Sequence, residues 1–514
     1  MLILLCNNNF FTPLATVSMS SLSGPQGYAQ ARNEADNIDG KLAATSFVRI
    51  VDNRPYFPLL KADPSNTTSI IEIANAIISR SNDNAQGNCH FHEKVNVTVI
   101  TGGLTNALFK VDLPNSNSVL LRIFGAEGFI DRDEETTTFA RLCHRKGTLH
   151  DQLELVGRFG NGRVETWIPN MRPSSHIYDF AREGFALEVA RQMARLHYGF
   201  DADASASGTQ IKDVPRQPTI WKVIESWIDE LSENLSHEKF RNDTKLMEVF
   251  SCAIIGPPDH HDGKISHDNH DGKISHDIHS VISSISDDLA WLKNRVETRF
   301  PNAQLAFCHN DVNAANILLD ASIDDDDGAT RYDKQTVCII DYEYCSTNYA
   351  MYDVANYLCE HCGGNDDGIP NYDLIPSVDR LSIFLHEYVR ERDEILSKIS
   401  RGGEDEGTAS SEVSYLLPQV ELFQMASCLY WASWGILQAT GEVINGTFRM
   451  ENAMSRLYGD VDQTSFDYLR YGKNRMARFR FCGVTSGRLR GAARGSEPPI
   501  LSKREDGVCN GKLL

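Results

Sequence analysis

Two apolar runs, Leu305-Ala306-Phe307-Cys308 and Ile317-Leu318-Leu319, enclose the short loop His309-Asn310-Asp311-Val312-Asn313-Ala314-Ala315-Asn316. Strand-like segments therefore pin a polar loop at both ends. The loop presents a His, an Asp and, five residues after that Asp, an Asn. A further buried-strand pattern, Val337-Cys338-Ile339-Ile340, ends in Asp341-Tyr342-Glu343-Tyr344. No other stretch of the chain constrains its fold as tightly.

The chain has 514 residues, 41% of them hydrophobic, enough for two or three domain-sized units. Its 50 basic and 70 acidic residues leave a formal charge of −20, which argues against nucleic acid or an anionic membrane as a partner through bulk charge. Twelve cysteines are scattered rather than framed in pairs, as in a reducing compartment, and the expected location is cytoplasmic. Cys359-Glu360-His361-Cys362 is a lone C-x-x-C and reads as two partly buried helix cysteines rather than a zinc site. No run approaches the ~18 apolar residues of a membrane span. The amino terminus, Met1-Leu2-Ile3-Leu4-Leu5-Cys6, lacks a basic flank, since the first arginine is Arg32, and makes a poor secretory signal.

Residues 1–46 read as a disordered extension rich in Ser, Asn, Gly and Ala. Residues 47–170 read as a nucleotide-binding lobe. A helical pattern runs from Ser69 to Ile78, and strands are expected at Val95–Ile100, Ala107–Val111, Val119–Phe124 and Val164–Ile168, with a charged helix start at Asp131-Arg132-Asp133-Glu134-Glu135. Residues 171–480 read as a mainly helical catalytic and substrate lobe, with helical spacing at Leu187–Leu196, Leu381–Ile399 and Val420–Leu437. Pro418 fits only near the first turn of that last helix. Within 256–280, His261-Asp262-Gly263-Lys264-Ile265-Ser266-His267-Asp268 recurs nine residues later, a tandem duplication best placed in a surface loop. The run Asp324-Asp325-Asp326-Asp327-Gly328 fits a solvated hairpin tip, and 481–514 a disordered tail. The expected fold class is α+β, two-lobed, with a helical carboxy-terminal lobe.

H-x-D-x-x-x-x-N is the spacing of a kinase catalytic loop, in which the Asp accepts the proton of the substrate hydroxyl and the Asn holds a metal ion. Asp311 is thus the candidate base, with Asn316 and Asp341 as Mg²⁺ ligands. His309 is expected to brace the loop. Thr101-Gly102-Gly103 can cover phosphates, because glycines let backbone N–H groups approach closely. Arg122, in the middle of an apolar strand, is placed to pair phosphates, with Glu135 orienting it. Asp353, Asn356 and Glu360 fall on one face if the segment from Met351 is helical. Tyr430-Trp431 and Trp434 serve equally as core or as one wall of an ammonium cage.

These residues resemble the choline/ethanolamine kinase family over roughly 47–480. Thr101-Gly102-Gly103-Leu104-Thr105-Asn106 looks like its phosphate loop, and Val119–Gly125 like its strand with a phosphate-contacting Arg. Phe307–Asp311 with Asn316, and Ile340–Tyr344 through Asn348-Tyr349, Asp353 and Asn356, are similar to its two motifs. The resemblance implies a protein-kinase-like fold that uses ATP and Mg²⁺ to phosphorylate an amino alcohol. It implies nucleotide contacts at Gly102, Gly103, Thr105, Asn106, Arg122 and Glu135, and an adenine hinge from Glu165 to Ile168. Tyr344, Glu360, Trp431, Trp434 and Tyr471 would surround the amine bound beside Asp311. Ile130–Glu135, Glu360–Asp379 and Phe466–Tyr471 resemble the ethanolamine branch, so ethanolamine is the expected acceptor and choline the alternative. A pseudokinase scaffold, the competing class, would lack the base or a metal ligand. Homodimerisation is left open. Two departures stand out. The linker between Thr440 and Phe466 looks longer than the family's, and Val312-Asn313-Ala314-Ala315 is an uncommon filling that leaves Asn313 without an assigned role.

Overall fold

The structure is a computed structural model and describes residues 48–51, 53–81, 95–100, 106–113, 118–125, 131–144, 152–206, 217–256, 277–323, 332–333, 336–364, 368–399, 409–451, 453, 457 and 466–485. The proposed phosphate-loop residues Gly102, Gly103 and Thr105, the histidine duplication and the Asp324–Asp327 run lie outside them.

The chain divides into two compact units. One comprises Met1–Val223, Lys293–Ser427 and Val461–Phe466, the other Ile224–Leu292, Cys428–Asp460 and Asp467–Leu514.

The first unit is built on a seven-stranded sheet. Its strands are β1 (Arg49–Val51), β2 (Arg54–Phe57), β3 (Asn96–Ile100), β4 (Asn106–Asp112), β5 (Val119–Phe124), β6 (Leu155–Phe159) and β7 (Gly162–Thr166), in the order β1-β2-β6-β7-β5-β4-β3. Only β2 and β6 run parallel. β5 lies inside the sheet and is mostly buried, which accounts for its nearly unbroken apolar run. β3 is one of the two edge strands and leaves Val99 63% exposed.

Helix α1 (Thr67–Ser81) buries Ile70, Ile73, Ala74, Ile77 and Ile78, a single apolar stripe. It packs on β2, β5 and β6. Gly157 on β6 permits this approach, because a Cβ there would lie 2.5 Å from Ile77 Cγ2. Helix α2 (Arg132–Cys143) starts on Asp131, whose carboxylate accepts from the N–H groups of Asp133 and Glu134. Three acidic residues in its first turn complement the helix dipole.

The rest of this unit is mainly helical around two small sheets. β8 (Met171–Pro173), β10 (Ile317–Asp320) and β11 (Val337–Ile339) form one, with β10 central, and β9 (Leu305–Cys308) pairs with β12 (Ser346–Tyr349) in the other. Helix α3 (Glu183–Ala206) packs against a later helix, Val378–Ile399, through the ion pairs Arg191–Glu387 and Arg195–Glu391. The second unit is helical among its described residues.

In chain order the remaining helices are α4 (Ile220–Leu235), α5 (Glu238–Arg241), α6 (Thr244–Ile255), α7 (Ile278–Arg299), α8 (Ala350–Glu360), α9 (Val378–Ile399), α10 (Ala409–Asn445) and α11 (Tyr468–Thr485). The α+β class is as expected. Pro418 is not in the first turn of its helix, because α10 begins at Ala409 and runs through it. The helix passes Pro418 although that residue has no N–H to return to the carbonyl of Ser414. No helix among the described residues is long and apolar enough to cross a membrane.

Candidate active site

The loop between β9 and β10 is held through its backbone. Asp353 on α8 accepts from the N–H groups of His309 and Asn310, each at 2.8 Å, and Asn356 one turn later accepts from that of Val312 at 2.9 Å. The expected helical face of Asp353, Asn356 and Glu360 is therefore real, and its first two members grip the loop. Asp353 is in turn bonded by His197 Nε2 at 3.0 Å, and His197 Nδ1 meets Tyr388 Oη at 2.7 Å. Burial raises the pKa of Asp353, but the hydrogen bond and charge of His197 outweigh it and hold this carboxyl below its usual range.

His309 braces the loop as expected, with Nε2 2.9 Å from the carbonyl of Ile340 and its ring against Tyr342. Asn310 has a left-handed backbone (φ 67°), which an Asn tolerates, and its amide ties the loop to Tyr344 O and Ser346 Oγ.

These anchors present Asp311 with both oxygens engaged. Asn313 Nδ2 donates to Oδ1 at 2.9 Å and Asn316 Nδ2 to Oδ2 at 2.8 Å. Asn313 also caps the short 3₁₀ turn Ala314–Asn316. The Oδ1 atom of Asn316 accepts no hydrogen bond among the described residues and stays available. Burial pushes the Asp311 carboxyl well above its usual range; the Asn313 hydrogen bond opposes this, and the nearby charges of Glu360, Asp341 and Glu343 add to it.

Asp341, just beyond β11, also has a left-handed backbone (φ 67°). One oxygen from each of Glu135, Asp341 and Glu343 lies within 4.8 Å of the others. Such an all-carboxylate set, with the Asn316 amide oxygen on the neighbouring loop, suits a hard divalent cation such as Mg²⁺. Here arginines neutralise the three acids. Arg122 NH1 donates to Asp341 at 2.9 Å, and Arg132 NH1 donates to Glu343 at 2.9 Å and to Glu135 at 2.8 Å. Asn106 Nδ2, at the start of β4, also donates to Glu343, at 3.1 Å.

Behind them, Arg122 and Arg163 are direct cross-strand partners on β5 and β7 and share the Glu165 carboxylate, at 3.2 and 2.6 Å. Arg163 also reaches Glu135 at 2.5 Å. All four are buried. Burial works against the charge of Arg122, yet Asp341 and Glu165 more than offset it and raise its pKa.

Glu165, and not Glu135, is thus the glutamate hydrogen-bonded to Arg122. Glu135 sits one turn into α2 and meets Arg163 and Arg132 first. The Glu165 side chain is committed to arginines, so only its backbone is available to an adenine. Ile168 packs into the core with Phe139, Leu153 and Leu155.

Of the expected amine-binding residues, Glu360 is buried at the end of α8, and Tyr344 follows Asp341 with its carbonyl bonded to Asn310. The other three belong to the second unit. Trp431 and Trp434 on α10 meet edge to face (5.6 Å, 81°), and Tyr471 on α11 meets Trp434 the same way (6.1 Å, 85°). Gly472 makes this contact possible, since a Cβ there would lie 2.9 Å from the backbone N of Ile436. Tyr471 therefore joins the tryptophans whatever the length of the linker before it.

The sequence profile of choline/ethanolamine kinases matches residues 97–480, most of the chain and all of the geometry above. The chain belongs to the choline/ethanolamine kinase family. It is 25% identical over 413 residues to the ethanolamine kinase of Saccharomyces cerevisiae, covering 74% of this chain and 69% of that protein. It is also 25% identical over 383 residues to the choline/ethanolamine kinase of Rattus norvegicus, covering 71% of this chain and 79% of the other. The crystal structure of choline kinase from Cryptosporidium parvum Iowa II shares the fold, with a TM-score of 0.51 at 20% identity over 82% of this chain and 98% of that one.

A choline/ethanolamine kinase acts on an amino alcohol, and the fold is protein-kinase-like. Within that frame, sequence reasoning missed the position of Glu343 beside the acid cluster, because the left-handed backbone at Asp341 and the turn at Glu343-Tyr344 that bring the carboxylates together leave no periodicity in the sequence. It also missed Arg163 and Arg132. Arg163 stands in a buried strand between Gly162 and Val164, the same signal that singled out Arg122. Asn313, which had no assigned role, turns out to bond Asp311.

Proposed function

We propose that the protein transfers the γ-phosphate of ATP to ethanolamine in the cytoplasm, with Asp311 as the base. As the hydroxyl oxygen of the amino alcohol attacks the γ-phosphorus, its proton passes to an Asp311 oxygen and the bond to ADP breaks. Asn313 and Asn316 fix the direction of that carboxylate. Asp341, Glu343 and the Asn316 oxygen would hold Mg²⁺, which neutralises phosphate charge when bound. Arg122, whose guanidinium now bridges Glu165 and Asp341, would turn one face to the phosphates.

The observation that carries the choice of acceptor is the buried Glu360, whose charge is felt at Asp311. A primary ammonium offers three N–H donors and is best met by a carboxylate. Choline is the second reading, favoured by the edge-to-face cluster of Trp431, Trp434 and Tyr471, since a quaternary ammonium seeks aromatic faces. ADP release measured with ethanolamine, choline and the N-methylated intermediates separates the two. Ethanolamine is expected to give a kcat/KM at least ~10-fold above choline. Turnover of choline without ethanolamine would overturn the assignment.

A further inference from the structure

Helix α8 has a second functional-looking face. Asp353 and Asn356 hold the loop of Asp311, while Tyr357, Leu358 and His361 just beyond the helix line a half-open cavity. The start of α3 and the amino-terminal half of α9 complete it. None of the residues proposed for phosphoryl transfer lines this cavity.

Its walls are apolar, formed by Phe180, Leu187, Leu381 and Phe384 among others. Its floor is an aromatic stack, with Phe180, Tyr357 and His361 at mutual ring distances of 4.8 to 5.0 Å and Phe384 5.4 Å from Tyr357. Among the described residues, two polar atoms in this floor have no hydrogen-bond partner, Tyr357 Oη and His361 Nε2. Tyr357 is wholly buried and His361 is 6% exposed. Burial, with help from Arg380 and His176, pulls the His361 pKa down to about 3, so its ring is neutral. A buried hydroxyl without a partner is costly and unusual in a folded protein, and such atoms mark places where something else supplies the bond. Among the described lining residues, one cation, Arg380, and one carboxylate, Glu183, stand at the mouth, so neither sign of charge is selected.

We propose that this cavity is a second small-molecule site, taking a neutral ligand with an aromatic or branched apolar body and one carbonyl-type acceptor for Tyr357 Oη. Its mix of apolar wall and a few placed polar atoms is the pattern of small-molecule sites. The occupant touches the same helix that holds His309, Asn310 and Val312. A filled cavity therefore stiffens α8 and, through Asp353 and Asn356, the loop that carries Asp311.

The test uses full-length protein and two probes, N-methylbenzamide and toluene, followed by saturation-transfer NMR. N-methylbenzamide is expected to bind the wild type saturably. Ala186→Phe, which fills the cavity from the half-buried side of α3, is expected to abolish binding, with circular dichroism confirming its fold. Tyr357→Phe keeps the shape and removes the hydroxyl; it should weaken N-methylbenzamide about 10-fold and leave toluene unchanged. Amide hydrogen exchange at residues 309–316 should slow on saturation in the wild type and not in Ala186→Phe. Absence of binding at millimolar concentration, or equal binding to wild type and Ala186→Phe, overturns the site. Binding without a change in exchange at 309–316 overturns the coupling to the loop. Neither readout depends on turnover, so both stand or fall separately from the proposed reaction.

Discussion

The loop that carries Asp311 and the strand pair that carries Arg122 are both polar and enclosed, yet they are held in different ways. The loop hangs by backbone N–H groups on two side chains of one helix, Asp353 and Asn356. The Arg122 side chain on the strand pair is held by charge instead, divided between Glu165 and Asp341. A backbone N–H gripped by a buried carboxylate has no alternative partner when substrate arrives. A guanidinium between two acids does, because phosphate oxygens can take the place of either. The loop is the fixed half of the site and Arg122 the exchangeable half.

The comparison breaks most sharply at the proposed base. Asp311→Asn should lower kcat by about 10²–10⁴-fold in an ADP-release assay. Its effect on stability runs the other way. Because the folded-state pKa of Asp311 is raised, the folded chain binds its proton more tightly than the unfolded chain. Stability is then greatest at low pH and falls as pH rises through the raised value. Removing the charge should therefore leave the neutral-pH melting temperature unchanged or higher, and a clear drop would contradict the burial argument.

Next in size is the anchor. Asp353→Asn turns one acceptor toward the loop into a donor facing N–H groups. It should cost about 100-fold in kcat and about 3 kcal/mol in urea unfolding, with little change in the KM for ATP. Retention of wild-type kcat would show that the loop does not depend on α8.

On the exchangeable side, Glu165→Gln should raise the KM for ATP about 10-fold while kcat stays within about threefold, because Asp341 still holds Arg122. Equal losses in both parameters would place Arg122 among the fixed elements.

The smallest effect is expected at Asn313. Asn313→Ala removes one hydrogen bond to Asp311 and should lower kcat/KM about 5- to 10-fold. It should also shift the acid limb of the pH–rate profile upward, since the Asn313 bond is what opposes the raised Asp311 pKa. In the wild type, activity is expected to fade as pH drops through that raised value. Asp353, held below its usual range, keeps its charge across the same interval, so the anchor outlasts the base on acidification.

The fixed half was the more legible in sequence. Strands on either side of His309–Asn316 announce themselves by apolar runs, and the spacing of Asp353, Asn356 and Glu360 gives the helix face directly. The exchangeable half was harder, because ion pairs form between strands distant in sequence. That Glu165, and not Glu135, meets Arg122 follows from the β5–β7 register, which local periodicity does not carry. The start of α10 was hidden for a different reason. Pro418 is an intrinsic helix breaker, and tertiary packing of the flanking residues overrides it.

The order of segments along the chain has a consequence for how the protein is made. The first unit is interrupted by Ile224–Leu292, and it resumes only at Lys293. His197, Asp353 and Tyr388 lie on three separate helices, so the support under the catalytic loop cannot assemble as the amino-terminal sheet emerges from the ribosome. That support is complete only once α8 and α9 have been synthesised.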